Sequence, residues 1–468
     1  MESHNLASVQ AKLRQLFGTD GIRGIAGQYP LDRATVYAIG RAIGARLGRR
    51  MADPRVVLGQ DTRESSAWIA EALALGLRDS GCGFDSAGVI TTPGIAYLTH
   101  THGFAAGVVI SASHNPWQDN GIKLFGSNGM KLADEIEHEI ESEIFEHLDQ
   151  LTAQQSSGGV AITDILPGSA ALRADYEQWL IASVDGAALH PLRVLVDCAN
   201  GAASTIAPEL FARIGLACEV LHTSPTGRNI NDRCGALHPS HVAAEIAARP
   251  GQFDLGITLD GDADRALFSD AEGNVANGDA VLLVAAREMK ARGVLRNDTV
   301  VATTMSNMGL EKALRASGIQ LLRTDVGDKY VLEQMLKTGA TLGGEQSGHI
   351  LFMDGDSTSG DGLLTALRVM EVIARSDRSL HELTKDFKVF PQRMRNVKVR
   401  EKTPMKELPE VAAAIASAER ELDGNGRVVV RYSGTEKLAR VMVEAEDEAL
   451  MHKHVDAVAN ALEAAIGA

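Results

Sequence analysis

Three times in this chain an apolar run ends on an aspartate. Arg55-Val56-Val57-Leu58-Gly59-Gln60 leads to Asp61, Leu192-Arg193-Val194-Leu195-Val196 to Asp197, and Phe253-Asp254-Leu255-Gly256-Ile257-Thr258-Leu259 to Asp260. Short β-branched runs of this kind read as buried strands. Helical spacing fills the gaps, over residues 32–50 and again over 65–80. Strands that alternate with helices predict a mixed α/β sheet. In such folds reacting groups sit just past the carboxyl ends of the strands, which is where each aspartate falls. The pattern predicts three domains of one plan, although the sequence between the runs shows no readable repeat.

The chain has 468 residues, room for roughly three or four domains of about 100–150 residues. An acidic helix over 134–150 and the polar stretch Gln154-Gln155-Ser156-Ser157-Gly158-Gly159 mark a first boundary. The expected domains are 1–157, 158–252, 253–375 and 376–468, with the run at 253–260 opening the third and a helix over 361–375 closing it. The last stretch has strand-like runs at 395–399, 427–431 and 438–444 and an Ala-rich helix, and reads as a small α+β domain.

Composition removes several function classes. Aromatic residues are 4% of the chain, too few for base-stacking platforms. The balance of 46 basic and 61 acidic residues, net -15, argues against a nucleic-acid or anionic-membrane partner. Cys82, Cys198, Cys218 and Cys234 are widely spaced, which suits neither a zinc cluster nor a disulfide framework. The opening residues lack the basic and apolar parts of a signal peptide, and no run nears the ~18 apolar residues of a membrane span. A cytoplasmic protein is expected.

Chemistry concentrates in a few stretches. In 108–131, the run Val108-Val109-Ile110 gives way to Ser111-Ala112-Ser113-His114-Asn115-Pro116, and Lys123 follows the turn signal Asp119-Asn120-Gly121. A Ser-His pair in a polar loop is unremarkable alone. Asp260-Gly261-Asp262-Ala263-Asp264-Arg265 puts three carboxylates at alternate positions, able to converge on one hard cation such as Mg²⁺, which takes about six oxygen ligands. Gly344-Glu345-Gln346-Ser347-Gly348-His349 offers carboxylate, amide, hydroxyl and imidazole, a set suited to sugar hydroxyls. Arg431-Tyr432-Ser433-Gly434-Thr435-Glu436, with Arg440, has the parts of a phosphate cradle. Gly18-Thr19-Asp20-Gly21-Ile22-Arg23-Gly24 is too glycine-rich for a helix and reads as a loop or tight hairpin carrying one cation. Each stretch alone also suits a solvated turn. P-loop, dinucleotide fingerprint, nucleophile elbow and zinc-peptidase patterns are missing.

Together these stretches resemble the α-D-phosphohexomutase superfamily. Its phosphoserine loop corresponds to 111–116, its metal loop to 260–265, its sugar loop to 344–349 and its phosphate loop to 431–436, in family order over nearly the whole chain. The form of 18–24, Gln346, and Asn229-Ile230-Asn231 with Cys234-Gly235 resemble its glucosamine branch. The resemblance implies three similar mixed α/β sandwich domains and a C-terminal α+β (TBP-like) domain around a central cleft, the last closing as a lid.

It implies interconversion of glucosamine 6-phosphate and glucosamine 1-phosphate through phosphoserine at Ser113 and a sugar 1,6-bisphosphate, feeding UDP-N-acetylglucosamine and cell-wall precursors. Ser113, Asp260, Asp262 and Asp264 would hold one Mg²⁺. Lys123, Arg23 and His114 join Ser113 as catalytic residues, Lys123 moving a proton provided its pKa falls. Arg265, Lys329, Glu345, Ser347, His349, Arg431, Ser433, Gly434, Thr435 and Arg440 would bind the substrate. Glucosamine or glucose 1,6-bisphosphate would be the activator and a phosphosugar the small-molecule partner, with a homodimer as a candidate assembly.

Ala263 stands where the family has glycine, which adds a Cβ to a backbone that glycine accepts freely. Tyr432 and Lys437 replace common prolines, and Lys329 replaces an arginine, keeping charge and losing the bidentate fork. Other readings are a glucose- or mannose-specific mutase of the same superfamily, a metal-dependent phosphatase, and a non-catalytic sugar-phosphate sensor.

Overall fold

The computed structural model describes residues 16–18, 20–154, 168–433 and 437–468. The chain forms two compact units, one of Met1–Met305 with Leu321–Thr384 and one of Ser306–Gln320 with Lys385–Ala468.

The first unit carries three mixed sheets. The first sheet holds β1 (Phe17–Gly18), β2 (Gly21–Ile25), β3 (Arg55–Gln60), β4 (Gly83–Val89), β5 (Ala106–Ile110) and β6 (Asp119–Gly126), in the order β1-β2-β6-β5-β3-β4. Its parallel part, β5-β3-β4, buries Val56, Val57, Leu58, Val108, Val109 and Ile110 almost completely. Strands covered on both faces read as continuous apolar runs, which is why they were legible. The hairpin expected at the glycine-rich start is the antiparallel pair β1/β2, and β2 in turn pairs with β6.

The second sheet contains β7 (Arg193–Asp197), β8 (Ala217–Leu221), β9 (Leu255–Leu259), β10 (Ala266–Asp270) and β11 (Val275–Ala276), ordered β11-β10-β9-β7-β8. The third has β12 (Thr299–Thr303), β13 (Gln320–Thr324), β14 (Leu342–Gly344) and β15 (Ile350–Phe352), ordered β13-β12-β14-β15. In each sheet parallel strands lead into an antiparallel flank.

Two sequence expectations change. The strand at 255–259 does not open a third domain: β9 lies parallel to β7, and β10 returns beside it in the same sheet. The boundary expected at 252/253 therefore falls after β11. Parallel strands end at the same sheet edge, so one domain can present two strand-end aspartates, Asp197 and Asp260. The turn read at Asp119-Asn120-Gly121 is instead the start of β6, paired with β2. The chain turns earlier, with the Asp119 N–H donating to the Pro116 carbonyl at 3.1 Å. Gly121 serves a close approach, since a Cβ there would stand 2.6 Å from the Ser111 carbonyl oxygen.

The second unit is an antiparallel sheet of β16 (Gln392–Lys398), β17 (Gly426–Tyr432) and β18 (Leu438–Ala445), ordered β16-β18-β17, with helices Pro409–Leu422 and Glu448–Ile466. Val397, Val441, Val443, Val455, Val458 and Leu462 form its core. The buried Glu444 carboxylate accepts from the Met308 N–H at 2.7 Å and from Arg427 Nε at 2.6 Å, fastening helix Met308–Ala316 to this unit. Among the described residues no helix is long and apolar enough to cross a membrane.

Candidate active site

Parallel strands deliver the first groups. β5 ends at Ile110, and the loop behind it holds Ser113 in a left-handed conformation, φ +52°. β9 ends at Leu259 and leads into Asp260, Asp262 and Asp264, all buried. The two loops touch: Ser113 Oγ donates to Asp260 Oδ2 at 2.7 Å. A Cβ on Gly261 would lie 2.5 Å from the Ser113 carbonyl oxygen, so glycine is required there. Ala263, the departure from the family's glycine, takes φ +54°, a left-handed conformation that costs a non-glycine residue roughly 1–2 kcal/mol.

The three aspartates bring a carboxylate oxygen each within 4.8 Å of one another. Asp262 Oδ2 accepts from Thr92 Oγ1 at 2.6 Å and from Lys123 Nζ at 2.8 Å. Its other oxygen, Oδ1, and Oδ1 of Asp264 are buried and have no hydrogen-bond partner among the described residues. Orphaned carboxylate oxygens beside a serine hydroxyl form an all-oxygen donor set, and this fits Mg²⁺. Burial, then the charges of Asp264 and Asp262, push the Asp260 carboxyl well above its ordinary range. Burial also acts on Asp264, but Lys123, His349 and Arg265 outweigh it and hold that carboxyl down at about 2.

Lys123 departs from expectation. Burial would depress its pKa, yet Asp20, Asp262 and Asp264 more than compensate and raise it well above that of a free lysine. Its Nζ lies 3.2 Å from Asp20 Oδ2 and 3.3 Å from Asp264 Oδ2. Lys123 is thus held charged while Ser113 is unmodified. His114 is held neutral: burial first, then Arg265 and Arg23, bring it down to about 4. Its Nδ1 is 3.4 Å from Ser113 Oγ.

Beyond Lys123, carboxylates, lysines and the His349 imidazole close into a ring. Asp20 also binds Lys131, Oδ1 to Nζ at 2.6 Å, and Lys131 Nζ reaches Asp328 Oδ2 at 2.7 Å. Asp328 lies 3.5 Å from His349 Nε2, and His349 Nδ1 lies 3.8 Å from Asp264, which returns to Lys123. The ring joins the N-terminal hairpin, β6, the metal loop, the sugar loop and the start of helix Asp328–Thr338. Asp20, Lys131, Asp328 and Thr92 were not singled out from sequence. Asp20 and Lys131 lay inside stretches read for their neighbours, and nothing in the spacing signalled their pairing.

The remaining expected residues divide. Arg23 pairs with Asp20. Arg265 lies 3.8 Å from Asp264. Glu345 accepts from the Gly327 N–H at 3.1 Å and from Ser347 Oγ at 3.3 Å, so the sugar loop is tied to the turn before Asp328. Lys329 is drawn away to Asp134 at the start of helix Asp134–Gln154. In the second unit Arg431 and Arg440 stand directly opposite each other on β17 and β18. Like charges placed so repel unless an anion joins them. No hydrogen bond or ion pair reaches either guanidinium among the described residues. Ser433 receives Lys402 Nζ on its carbonyl at 2.7 Å, and the Tyr432 hydroxyl, where the family often has proline, donates to the Thr403 carbonyl at 2.5 Å. Gly434 and Thr435 lie outside the described residues.

Family profiles for phosphoglucomutase/phosphomannomutase match as alpha/beta/alpha domain I over residues 14–150, domain II over 175–273, domain III over 277–390 and the C-terminal domain over 394–461. A phosphoglucosamine mutase of Koribacter versatilis is 65% identical over 464 residues, 99% of this chain and 100% of that one. Another, of Solibacter usitatus, is 52% identical over 92% of this chain and 94% of its own.

Two solved structures share the fold. One is a phosphoglucomutase/phosphomannomutase family protein of Burkholderia thailandensis (TM-score 0.76, 24% identity, 96% and 97% of the two chains). The other is the N-acetylphosphoglucosamine mutase of Aspergillus fumigatus in complex with GlcNAc-6P and magnesium (TM-score 0.61, 19% identity, 98% and 99%). With four matching domains in order and near-complete coverage by phosphoglucosamine mutases, the chain belongs to the phosphoglucomutase/phosphomannomutase family of α-D-phosphohexomutases and is an isomerase.

Proposed function

We propose that the chain interconverts glucosamine 6-phosphate and glucosamine 1-phosphate, with Ser113 carrying the phosphoryl group between turnovers and a 1,6-bisphosphate as intermediate. The observation that carries this reading is the Ser113–Asp260 contact inside an all-oxygen acidic set. The two relatives above support glucosamine as the sugar.

Phosphoryl transfer asks the protein for alignment and charge neutralisation rather than covalent work. Mg²⁺ held by Ser113, Asp260, Asp262 and Asp264 would draw charge from the serine oxygen as the phosphoryl group leaves. In the first half, the P–Oγ bond of phospho-Ser113 breaks, a P–O1 bond forms, and the O1 proton passes to Lys123. After the bisphosphate turns over, the P–O6 bond breaks, the P–Oγ bond re-forms, and Lys123 returns a proton to O6. Between the halves Ser113 Oγ keeps the electron pair of the broken P–O bond, and Lys123 carries the proton from O1. A charged Lys123 at that stage is supported by Asp20, Asp262 and Asp264, which raise its pKa well above that of a free lysine.

Arg23 and Arg265 are assigned to the transferring phosphoryl group, and His114, neutral, to orienting the serine. Glu345, Ser347 and His349 are assigned to the sugar hydroxyls. Arg431, Ser433, Gly434, Thr435 and Arg440 are assigned to a phosphate, and Lys329 to the substrate once released from Asp134. Glucosamine or glucose 1,6-bisphosphate would restore an enzyme that has lost its phosphoryl group, and the cytoplasm is the proposed setting.

The test measures kcat/KM for glucosamine, glucose and mannose phosphates with Mg²⁺, for the parent and Ser113→Ala. The reading expects glucosamine to lead and Ser113→Ala to be inactive. Release of inorganic phosphate without isomerisation would overturn it.

A further inference from the structure

The Asn229-Ile230-Asn231 segment has no part in the reaction as assigned so far. Yet the Asn231 side chain leaves its own domain and meets the serine loop. Its Nδ2 donates to the Ser113 carbonyl at 2.9 Å and to the Asn115 carbonyl at 3.2 Å. On the same carbonyls Arg63 Nη2 donates at 2.9 Å each, and Arg63 Nη1 reaches the Pro116 carbonyl at 2.5 Å. Arg63 is itself fixed, its Nε on Asp61 Oδ2 at 2.8 Å with both side chains fully buried.

Asp61 also accepts from Ser111 Oγ at 2.7 Å, and Ser111 Oγ accepts the Ser113 N–H at 3.0 Å. Both peptide groups of Ser113 therefore trace back to Asp61 within the first domain. Asn231 brings a tie from the second domain to the Ser113 carbonyl, beside the Ser113 Oγ–Asp260 bond.

The backbone prepares Asn231 for this reach. Its φ is +58°, a conformation asparagine accepts better than most residues. Its N–H donates to the Ala199 carbonyl at 2.9 Å. Ile230 and Cys234 are buried on either side, and the Gly235 N–H donates to Asp197 Oδ2 at 2.9 Å. The amide is thus delivered from the carboxyl end of β7, where the strand-end Asp197 anchors the segment. A Cβ on Gly261 would meet Asn231 Nδ2 at 2.8 Å, so the amide packs against the metal loop as well.

We propose that Asn231 is a positioning residue for phosphoryl transfer: by holding the Ser113 and Asn115 carbonyls it sets the direction of Ser113 Oγ relative to Asp260. Ser113 sits in a left-handed conformation that its neighbours must over-determine. A misplacement of about 1 Å at a reacting oxygen costs on the order of 10²-fold in rate. The inference rests on the mutase reading above.

The experiment follows transfer of labelled phosphate from glucose 1,6-bisphosphate to Ser113 in a single turnover, using the full chain with Mg²⁺. Asn231→Gly removes the amide and accepts the positive φ, so backbone strain does not enter. Asn231→Asp keeps the shape and turns an acceptor toward two carbonyls. The loading rate should fall at least about tenfold in Asn231→Gly and further in Asn231→Asp, with KM for glucosamine 6-phosphate changed less than about twofold and the melting temperature kept. Loading within about twofold of the parent in both variants would overturn the assignment, as would a fall in rate matched by a lost melting transition. A parent chain that takes no phosphate on Ser113 would overturn the mutase reading and this inference together. A parent that loads while both variants keep pace removes only the role of Asn231.

Discussion

Thr92 Oγ1 donates to Asp262 Oδ2 at 2.6 Å, a bond from the first turn of a first-domain helix to the metal loop of the second domain. Together with Lys123 it saturates one oxygen of that carboxylate and leaves the other unpaired. An oxygen freed in this way is available to a cation. Asp262→Asn should therefore weaken Mg²⁺ affinity by about 10–100-fold or more, read by calorimetric titration of the purified chain and by the Mg²⁺ dependence of activity. An unchanged dissociation constant would remove Asp262 from the ligand set.

Lys123→Met removes the proposed proton carrier and leaves Ser113 in place. The expected loss in kcat is about 10²–10⁴-fold, the usual worth of a positioned acid or base. Turnover at the parent's rate would hand the role to another group.

Lys131 lies between Asp20 and Asp328. Burial raises both carboxyls, and their lysine neighbours reverse the effect and hold both below the ordinary range. Lys131→Met leaves Asp20 with Lys123 and Arg23 but strips Asp328 of its lysine, which should cost about 3 kcal/mol of stability. Adding Asp328→Asn should recover part of that loss, because the pair is coupled. Denaturant midpoints for the single and double variants check this, and simple additivity would show that Lys131 does not compensate Asp328.

Asp361 caps helix Gly362–Ser376, accepting from the Leu364 N–H at 2.9 Å and from the Tyr176 hydroxyl at 2.8 Å. Burial pushes its carboxyl up to about 6, with the hydrogen bonds only partly offsetting it. Its unfolded value is about 3.9. The folded protein binds this proton more tightly, so the stabilisation is complete below about pH 4 and is lost as pH rises through about 6. Asn caps a helix as well as Asp. The stability of Asp361→Asn relative to the parent should therefore rise between about pH 4 and 6, by at most about 3 kcal/mol. Urea midpoints across that range would decide it, and a flat difference would mean that Asp361 ionises freely.

Much of the site was legible because its residues are contiguous. Ser113 with His114, and Asp260 with Asp262 and Asp264, announce themselves by spacing after an apolar run. The charge ring was not legible, because Asp20, Lys131 and Asp328 acquire meaning only through one another across hundreds of residues. The domain boundary at 252/253 failed for a related reason. A strand ending in aspartate looks the same whether it opens a sheet, as β7 does, or comes third, as β9 does; only the pairing of β9 with β7 separates them.

Ser113 and Ala263 each hold a left-handed backbone that neither residue prefers. Each loop is kept in that shape by contacts from outside its own strand: Asn231 reaches the serine loop, and Thr92 the metal loop. Severed from each other, the first and second domains would each relax the loop they contribute. The candidate catalytic centre is thus a product of docking rather than a possession of either domain, and on the proposed reading a chain divided between residues 154 and 168 would have to reassemble before it could carry a phosphoryl group.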